Sequence, residues 1–305
     1  MTSPASSPEW DVLGVGTAAV DDRLYVAHFP HPDEKMPIQS IRRMAGGQTA
    51  TALVAAAHLG ARAAFAGCLG DDELSRFLRA EFATHGVDCS PADRLPPGRP
   101  YYAVIIVDTS VGSRSILYSG EGVRDPGPDF IAPEWIAAAR VVLIDNNTPA
   151  AALQAARLAR QRNIPVVADI VRPTGAHLED LLATVDHLIV NLQFGRAYTH
   201  LEDPARMVQA LTRPHQAACV VTCGGEGCWF AVSGGLPEHF PAYPVTVADS
   251  TGCGDVFHGA YAALLARGAG VRDAIAAASA AAALKAARSD GWNGIPDIDA
   301  VHRIG

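Results

Sequence analysis

Short β-branched runs alternate with longer alanine- and leucine-rich runs through the middle of the chain. "VVLID" (141–145) predicts a buried strand, and "PAAALQAARLARQRN" (149–163) carries its apolar residues at helical spacing. The rhythm then repeats as strand "IPVVADI" (164–170), helix "HLEDLLATV" (177–185), strand "HLIVN" (187–191), helix "DPARMVQALT" (203–212) and strand "ACVVT" (218–222). Strands and helices in turn predict βαβ units around a parallel sheet. The strands are continuous apolar runs, as expected for a sheet covered on both faces. Ligands of such sheets bind beyond the carboxyl ends of the strands.

Two segments break this rhythm. "DRLYVAHF" (22–29) and "YYAVIIVD…GSRSILY" (101–118) carry little helical signal, and the second predicts a hairpin turning near "TSVGS". They form either a small lid sheet over one end of the main domain or an antiparallel edge of the main sheet. No internal repeat or low-complexity linker divides the 305 residues, so one domain spanning 1–305 is expected, with lid strands within about 17–40 and 99–120. Residues 1–8 predict an unstructured leader with neither a basic nor an apolar signal region.

Composition narrows the classes. Hydrophobic residues are 49% and charged residues 18% of the chain, enough apolar mass for a sizeable core. No apolar run reaches the roughly 18 residues of a membrane span. The alanine-rich stretch 273–287 comes nearest, but Arg272, Asp273, Lys285 and Arg288 bound it and predict a packed helix. With a formal net charge of −8 and no Lys/Arg run, the chain lacks the basic footprint of a nucleic-acid binder. Six cysteines without CxxC pairs fit reduced thiols and a cytoplasmic location. Cys219, Cys223 and Cys228 cluster without a histidine at zinc spacing, so strand and turn packing is expected of them.

The chemistry concentrates in "DSTGCGDVFHGA" (249–260). Val256, Phe257, Ala260, Tyr261 and Leu264 follow helical spacing, and Gly268 stands where a C-cap is expected, so a helix begins near Cys253. Its first amides lack intrahelical partners and carry the positive end of the helix dipole. Gly252, Cys253 and Gly254 are small enough for a ligand to approach the backbone, which makes an anion site. Asp255 places a carboxylate beside it. Anion site plus carboxylate suits phosphoryl transfer to a hydroxyl, with Asp255 accepting the proton. The same residues would equally suit a tight turn with Asp255 serving the helix dipole alone, and spacing leaves both readings open. "GVGTAA" (14–19) matches the dinucleotide fingerprint G-x-G-x-x-A, but a helix should follow it, and "VDDRLYVAHFPHP" alternates like a strand.

"DSTGCGDVFHGA" also resembles the C-terminal signature of the ribokinase-like (PfkB) carbohydrate kinases, usually written DTxGAGD. "AGGQTATALVAAAHLGARAAFAGCLGDDELSRFLRAEFATHGVD" (45–88) resembles their N-terminal signature. The resemblance runs from about residue 11 to about 298. Within the family, "GAYAALLARG" and "AAALKAARSDGWNGIPD" are most similar to the ketohexokinase and sulfofructose kinase branches. It implies an α/β fold: a ribokinase-like parallel-sheet core with helices on both faces and a small β-sheet lid that often serves dimerisation. It implies ATP with Mg²⁺ as donor and a sugar hydroxyl as acceptor. Asp255 would be the base, and the amides of Gly252, Cys253 and Gly254 the anion hole, with Cys253 in place of the usual alanine and its thiol open to activation at a helix N-terminus.

By the same resemblance Asp21, with Asp22 as competitor, would hold sugar hydroxyls, since a carboxylate accepts two at once. Gly46 and Gly47 would press backbone against the sugar, and Gln48 and Thr51 stand where the family often has asparagine. Thr222, Gly224 and Gly227 match the nucleotide turn T-x-G-x-x-G, and the "AAAL" helix would pack near adenine. Asn191 matches the asparagine of N-x-x-E near the phosphates and Mg²⁺, but Phe194 replaces the glutamate, leaving Asp169, Glu226 or water to complete the Mg²⁺ site. Asp249 and the carbonyl of Thr251 match part of a K⁺ site, with loop 288–294 supplying further carbonyls. Lys35 and Arg114 on the lid, and Arg172, are candidates for an anionic sugar substituent. The expectation is an ATP-dependent kinase of a monosaccharide, foremost a ketohexose or derivative, working as a homodimer. A nucleoside kinase (Phe29, Tyr101 and Tyr102 offer an aromatic slot), a phosphosugar kinase and a catalytically silent sensor stay as alternatives.

Overall fold

A computed structural model describes residues 8–304; the expected leader therefore lies almost wholly outside the described residues. In chain order come β1 (Trp10–Val15), β2 (Ala19–Val26), β3 (Ser40–Gly46), α1 (Gln48–His58), β4 (Ala63–Ala66), α2 (Glu73–Thr84) and β5 (Val87–Asp88). β6 (Tyr101–Asp108), β7 (Ser113–Ser119), α3 (Pro133–Ala137), β8 (Ala139–Asp145), α4 (Pro149–Arg160), β9 (Val166–Asp169) and α5 (Leu178–Leu182) follow. The chain continues through β10 (His187–Asn191), α6 (Leu192–Thr199), α7 (Pro204–Leu211), β11 (Ala218–Thr222), β12 (Cys228–Val232) and β13 (Glu238–Phe240). It finishes with α8 (Cys253–Ala266), α9 (Val271–Ala286) and α10 (Ile298–Ile304).

The main sheet has the order β13-β12-β11-β10-β9-β8-β1-β4-β5. Its strands pair in parallel from β11 to β5, and β12 and β13 complete it antiparallel. The continuous apolar strands are buried because each face has its own core. Leu53, Phe65, Phe82, Val256 and Tyr261 belong to the side of α1, α2, α8 and α9. Leu13, Ile144, Leu153, Leu188 and Phe194 belong to the side of α3–α7. The chain runs from β1 to β4 on one side and later returns to β8 on the other, so the loops after β1 and β8 part at the sheet's centre, where such folds bind ligands.

The segments that break the rhythm form a separate four-stranded sheet, β3-β2-β6-β7, in which β2 and β6 run parallel. This is the lid, and the edge-of-sheet reading is set aside. The β6–β7 turn falls at 109–112, as the pattern predicts. β3 lies past residue 40, the expected limit of the lid, because "SIRRMAG" is largely exposed and lacks the apolar alternation that marks a half-buried strand. β2, not a helix, follows "GVGTAA", which removes the dinucleotide-fingerprint reading. Among the described residues no helix is long and apolar enough to cross a membrane.

Candidate active site

α8 begins at Cys253, and its N-cap is Gly252 with φ +78°, a left-handed conformation that glycine adopts without a Cβ penalty. The first turn of α8 therefore presents open amides and carries Asp255. His258 anchors this turn to the sheet. Its Nδ1 lies 2.7 Å from the Gly254 carbonyl, its Nε2 lies 3.2 Å from the Ile189 carbonyl, and Nε2 lies 3.5 Å from the Asp169 carboxylate.

Four carboxylates gather here, and their surroundings divide them. Asp145, at the end of β8, is fully buried. One of its oxygens accepts from Thr17 N (2.8 Å), Thr17 Oγ1 (3.0 Å) and Thr49 Oγ1 (2.7 Å), and the other from Asn147 N (2.9 Å). That carboxylate is saturated and joins the ends of β1 and β8 to α1. Asp169 is buried beside His258; burial raises its carboxyl, opposed by the His258 charge. Asp21 and Asp255 are half-buried, and neither carboxylate receives a hydrogen bond from a described residue. Burial, then the charges of Asp169, Asp145 and Asp21, hold the Asp255 carboxyl well above the ordinary range. Burial likewise raises Asp21.

The lid places Asp21 and Asp22 in different surroundings. Adjacent strand residues face opposite ways. Asp22 is taken by Arg43 (2.8 and 2.9 Å) and by the Tyr102 hydroxyl (2.9 Å), which hold its carboxyl below the usual range. Asp21 turns inward toward Gly46, where a Cβ would stand 3.3 Å from its carboxylate. Gly47 caps α1 at φ +97°. Gln48 extends from the first turn of α1 to Asn147. Thr51 borders Gly252, but it is buried and its hydroxyl accepts from Trp292 Nε1 at 2.9 Å, so it supports the anion-hole turn from beneath.

A cleft of about 220 Å³ lies on the other side of the α8 N-terminus. Thr222, Gly224, Gly227, Cys253 and Gly254 line it together with Ser279, Ala282 and Ala283 of α9, so the proposed nucleotide turn, anion hole and alanine-rich helix converge. Asn191 stands beside Thr222 in register, and its Oδ1 accepts the Phe194 N–H at 2.7 Å as the cap of α6. Phe194 is 1% exposed and stacks on Tyr198 with ring centroids 5.5 Å apart, so the residue replacing the glutamate occupies the core and not the site. Glu226 is exposed on the 224–226 turn, whereas Asp169 lies beside the acidic group.

Three expectations change. Cys253 is not activated: burial pushes its thiol up to about 11, against the opposing pull of Lys285. Lys35 and Arg114 are exposed on the lid and form no ion pair with described residues; the charges felt at Asp21 are those of Arg23 and Asp22. Arg172 reaches the Tyr101 hydroxyl (3.3 Å) at the base of the lid. Arg23, which the sequence did not single out, is the buried lid cation. Its Nη1 lies 2.8 Å from Asp249 and ties β2 to the anion-hole loop. Asp249 therefore does not offer a free carboxylate to a K⁺ ion, since its other oxygen accepts the Thr251 N–H (2.9 Å). Its carboxyl, which burial alone would raise, is held below the usual range by Thr251 and Arg23.

A doubly covered parallel sheet, a lid, and a helix N-terminus paired with an unbonded carboxylate define a phosphotransferase with an alcohol acceptor. The comparison with known proteins agrees. Residues 11–298 match the pfkB family carbohydrate kinase, and the chain belongs to that family. A ribokinase of Haemophilus influenzae is 26% identical over 92% of this chain and 94% of its own length. A 5-dehydro-2-deoxygluconokinase of Shouchella clausii is 26% identical over 97% and 95%. The structure of Arabidopsis thaliana ribokinase, complexed with ribose and ATP, shares the fold with a TM-score of 0.84 at 23% identity, covering 98% of each chain.

Proposed function

We propose that this kinase transfers the γ-phosphoryl group of ATP to a monosaccharide hydroxyl, with Asp255 as the base. The observation that carries the reading is the pair Asp255 and Asp21. They are the two carboxylates of the acidic group that receive neither a hydrogen bond nor an ion pair from a described residue, one at the anion hole and one under the lid. Asp21 would accept sugar hydroxyls beside Gly46 and Gly47, with Gln48 adjoining. Asp255 would take the proton of the attacking hydroxyl. The amides of Gly252, Cys253 and Gly254 would stabilise charge on the phosphoryl group in transit. The cleft lined by Thr222, Gly224, Gly227 and α9 suits the nucleotide: its walls are small and largely apolar. Mg²⁺, when bound, neutralises phosphate charge, and Asp169 is the buried carboxylate best placed to orient its waters, with Asn191 at the end of the neighbouring strand. The raised Asp255 carboxyl means that part of its base strength comes from sitting among other carboxylates.

The acceptor we favour remains a ketohexose or derivative. The names of the curated relatives widen the set to ribose and 5-dehydro-2-deoxygluconate. A second copy of the chain is the proposed partner, across the outer lid face opposite Asp21, where Ile41 and Leu117 are both more than half exposed. Phe194 lies in the core and leaves the motif's acid missing from the site, the feature that keeps a silent sensor as the alternative. ADP release tests the whole reading, with ATP–Mg²⁺ and a panel of fructose, other ketohexoses, ribose, sulfofructose, 5-dehydro-2-deoxygluconate, fructose phosphates and nucleosides. A hit that Asp255→Asn abolishes supports it. Nucleotide binding without turnover on every acceptor would return weight to a sensor. Light scattering of the purified chain tests the dimer.

A further inference from the structure

Lys285 is 2% exposed, at the last turn of α9, and pairs with no carboxylate among the described residues. A buried, unpaired ammonium is costly unless local oxygens and fields compensate it. Compensation is present. The Nζ lies 3.4 Å from the Arg288 carbonyl, and the negative end of the α9 dipole converges on the same place. The side chain runs along Gly294, whose missing Cβ would stand 3.7 Å from Lys285 Cδ, so the aliphatic stem packs against the loop 288–294. The same turn of α9 is stitched to the anion-hole loop, because the Ala286 carbonyl accepts the N–H groups of Ala248 (2.8 Å) and Asp249 (3.0 Å). The positive charge of Lys285 is felt at Cys253, in the anion hole itself.

We propose that the Lys285 amine is the resident cation of the anion hole and stands in for a bound monovalent ion. With Arg23 holding Asp249 and Lys285 reaching the Arg288 carbonyl, the residues expected to bind K⁺ already have a tethered positive charge on each side. The proposal rests on the phosphotransfer reading above. Lys285 acts through the anion hole as a positioning residue: its charge keeps the 249–254 loop seated and favours negative charge at the α8 amides. A tethered cation needs no filling from solution, so nucleotide affinity and turnover should not depend on potassium.

The test uses the full chain with ADP–Mg²⁺ binding by calorimetry and turnover by ADP release, each in potassium chloride and in choline chloride at equal ionic strength. Wild type should show less than a twofold difference in both. Lys285→Met, which keeps the volume and removes the charge, should keep the wild-type melting temperature and lose at least tenfold in turnover in choline. Lys285→Ala should regain part of that loss on addition of ammonium or methylammonium, which a purely structural role would not produce. Wild-type affinity or turnover that rises tenfold with K⁺ overturns the inference and leaves the kinase assignment standing. So does a Lys285→Met protein as active as wild type in choline. ADP binding absent in both salts overturns the assignment and the inference together.

Discussion

Restoring the glutamate of the family pattern, by Phe194→Glu, should destabilise the protein and should not improve its use of Mg²⁺. The ring of Phe194 is 1% exposed and stacks on Tyr198 at 5.5 Å with planes 11° apart, within the core on the α3–α7 side of the sheet. Removing such a ring costs about 3–5 kcal/mol. A carboxyl in its place adds the cost of burying an acid with no partner, paid either as charge or as a proton held above its ordinary pKa. Against a total stability of roughly 5–15 kcal/mol, the sum leaves the variant close to unfolding. At about 2–4 °C per kcal/mol, the melting temperature should fall by roughly 10 °C or more. The deficit should grow with pH, because an acid whose folded-state pKa is raised loses folded-state stability as pH rises through that window. Thermal unfolding by circular dichroism at pH 5 and pH 8 measures both effects, with Phe194→Leu as the control that keeps an apolar core. A Phe194→Glu protein with the wild-type melting temperature and tighter Mg²⁺ binding would show that this side chain faces the site, and would refute the placement argued here.

Asp255→Asn should lower turnover by about 10²–10⁴-fold while sugar binding, read by calorimetry, persists. Because the Asp255 carboxyl is raised in the folded state, turnover should fall with decreasing pH in a limb above the ordinary carboxylate range, seen in the pH profile of kcat/KM. The same shift has a stability signature: the wild-type protein should be less stable than Asp255→Asn at pH 8, and the gap should close near pH 4, where both carry a neutral side chain. Gly259→Ala should cost about 1–3 kcal/mol or more, because the new Cβ would stand 1.9 Å from the Ala52 carbonyl of α1; chemical denaturation measures it. Cys253 should alkylate slowly at pH 7.5 and accelerate steeply toward pH 10, since its thiol is held at about 11; rapid labelling at pH 7.5 would contradict that environment.

The regular elements were legible because their signals are local. Buried parallel strands such as Ala139–Asp145 and Ala218–Thr222 read as apolar runs, and the α8 start at Cys253 was set by small residues followed by helical spacing. What escaped depended on partners distant in the chain. β3 carries Arg42 and Arg43 on a largely exposed strand and has no apolar period to detect. Asp145 ends a strand like many acids; only its three donors from Thr17 and Thr49 reveal that it fastens β1 to α1. Arg23 lies 226 positions from Asp249, and nothing near it in the sequence announces the pair. Lys285 read as the charged boundary of an alanine-rich helix, because sequence gives no sign that loop 288–294 packs against it. The Phe194 departure was visible, but its direction was not, since a substitution in a motif tells what is missing and not where the new side chain goes.

The carboxylates show how the fold separates support from chemistry. Asp145 is saturated, Asp22 is held by Arg43 and Tyr102, and Asp249 is held by Arg23. Each of these gains from bonds made in the folded protein and has little left to offer a ligand. Asp21 and Asp255 receive no such bonds, and burial raises both. Leaving two acids in that state is unfavourable for folding, and natural sequences retain such features where a ligand relieves them. Sugar hydroxyls are donors and suit both. Their arrival would satisfy Asp21 and give Asp255 the proton it takes as the phosphoryl group moves. The lid belongs to the same logic: β2 carries Asp21 and Arg23 on one face, so the strand proposed to hold the sugar is the strand pinned to the 249–254 loop through Asp249. A sugar that shifts β2 would shift that loop with it, and Arg23→Met should therefore weaken the coupling between sugar and nucleotide binding more than it weakens either alone. A double titration of ADP with and without sugar measures that coupling. Equal coupling in the variant and the wild type would leave Arg23 as a brace for the lid alone.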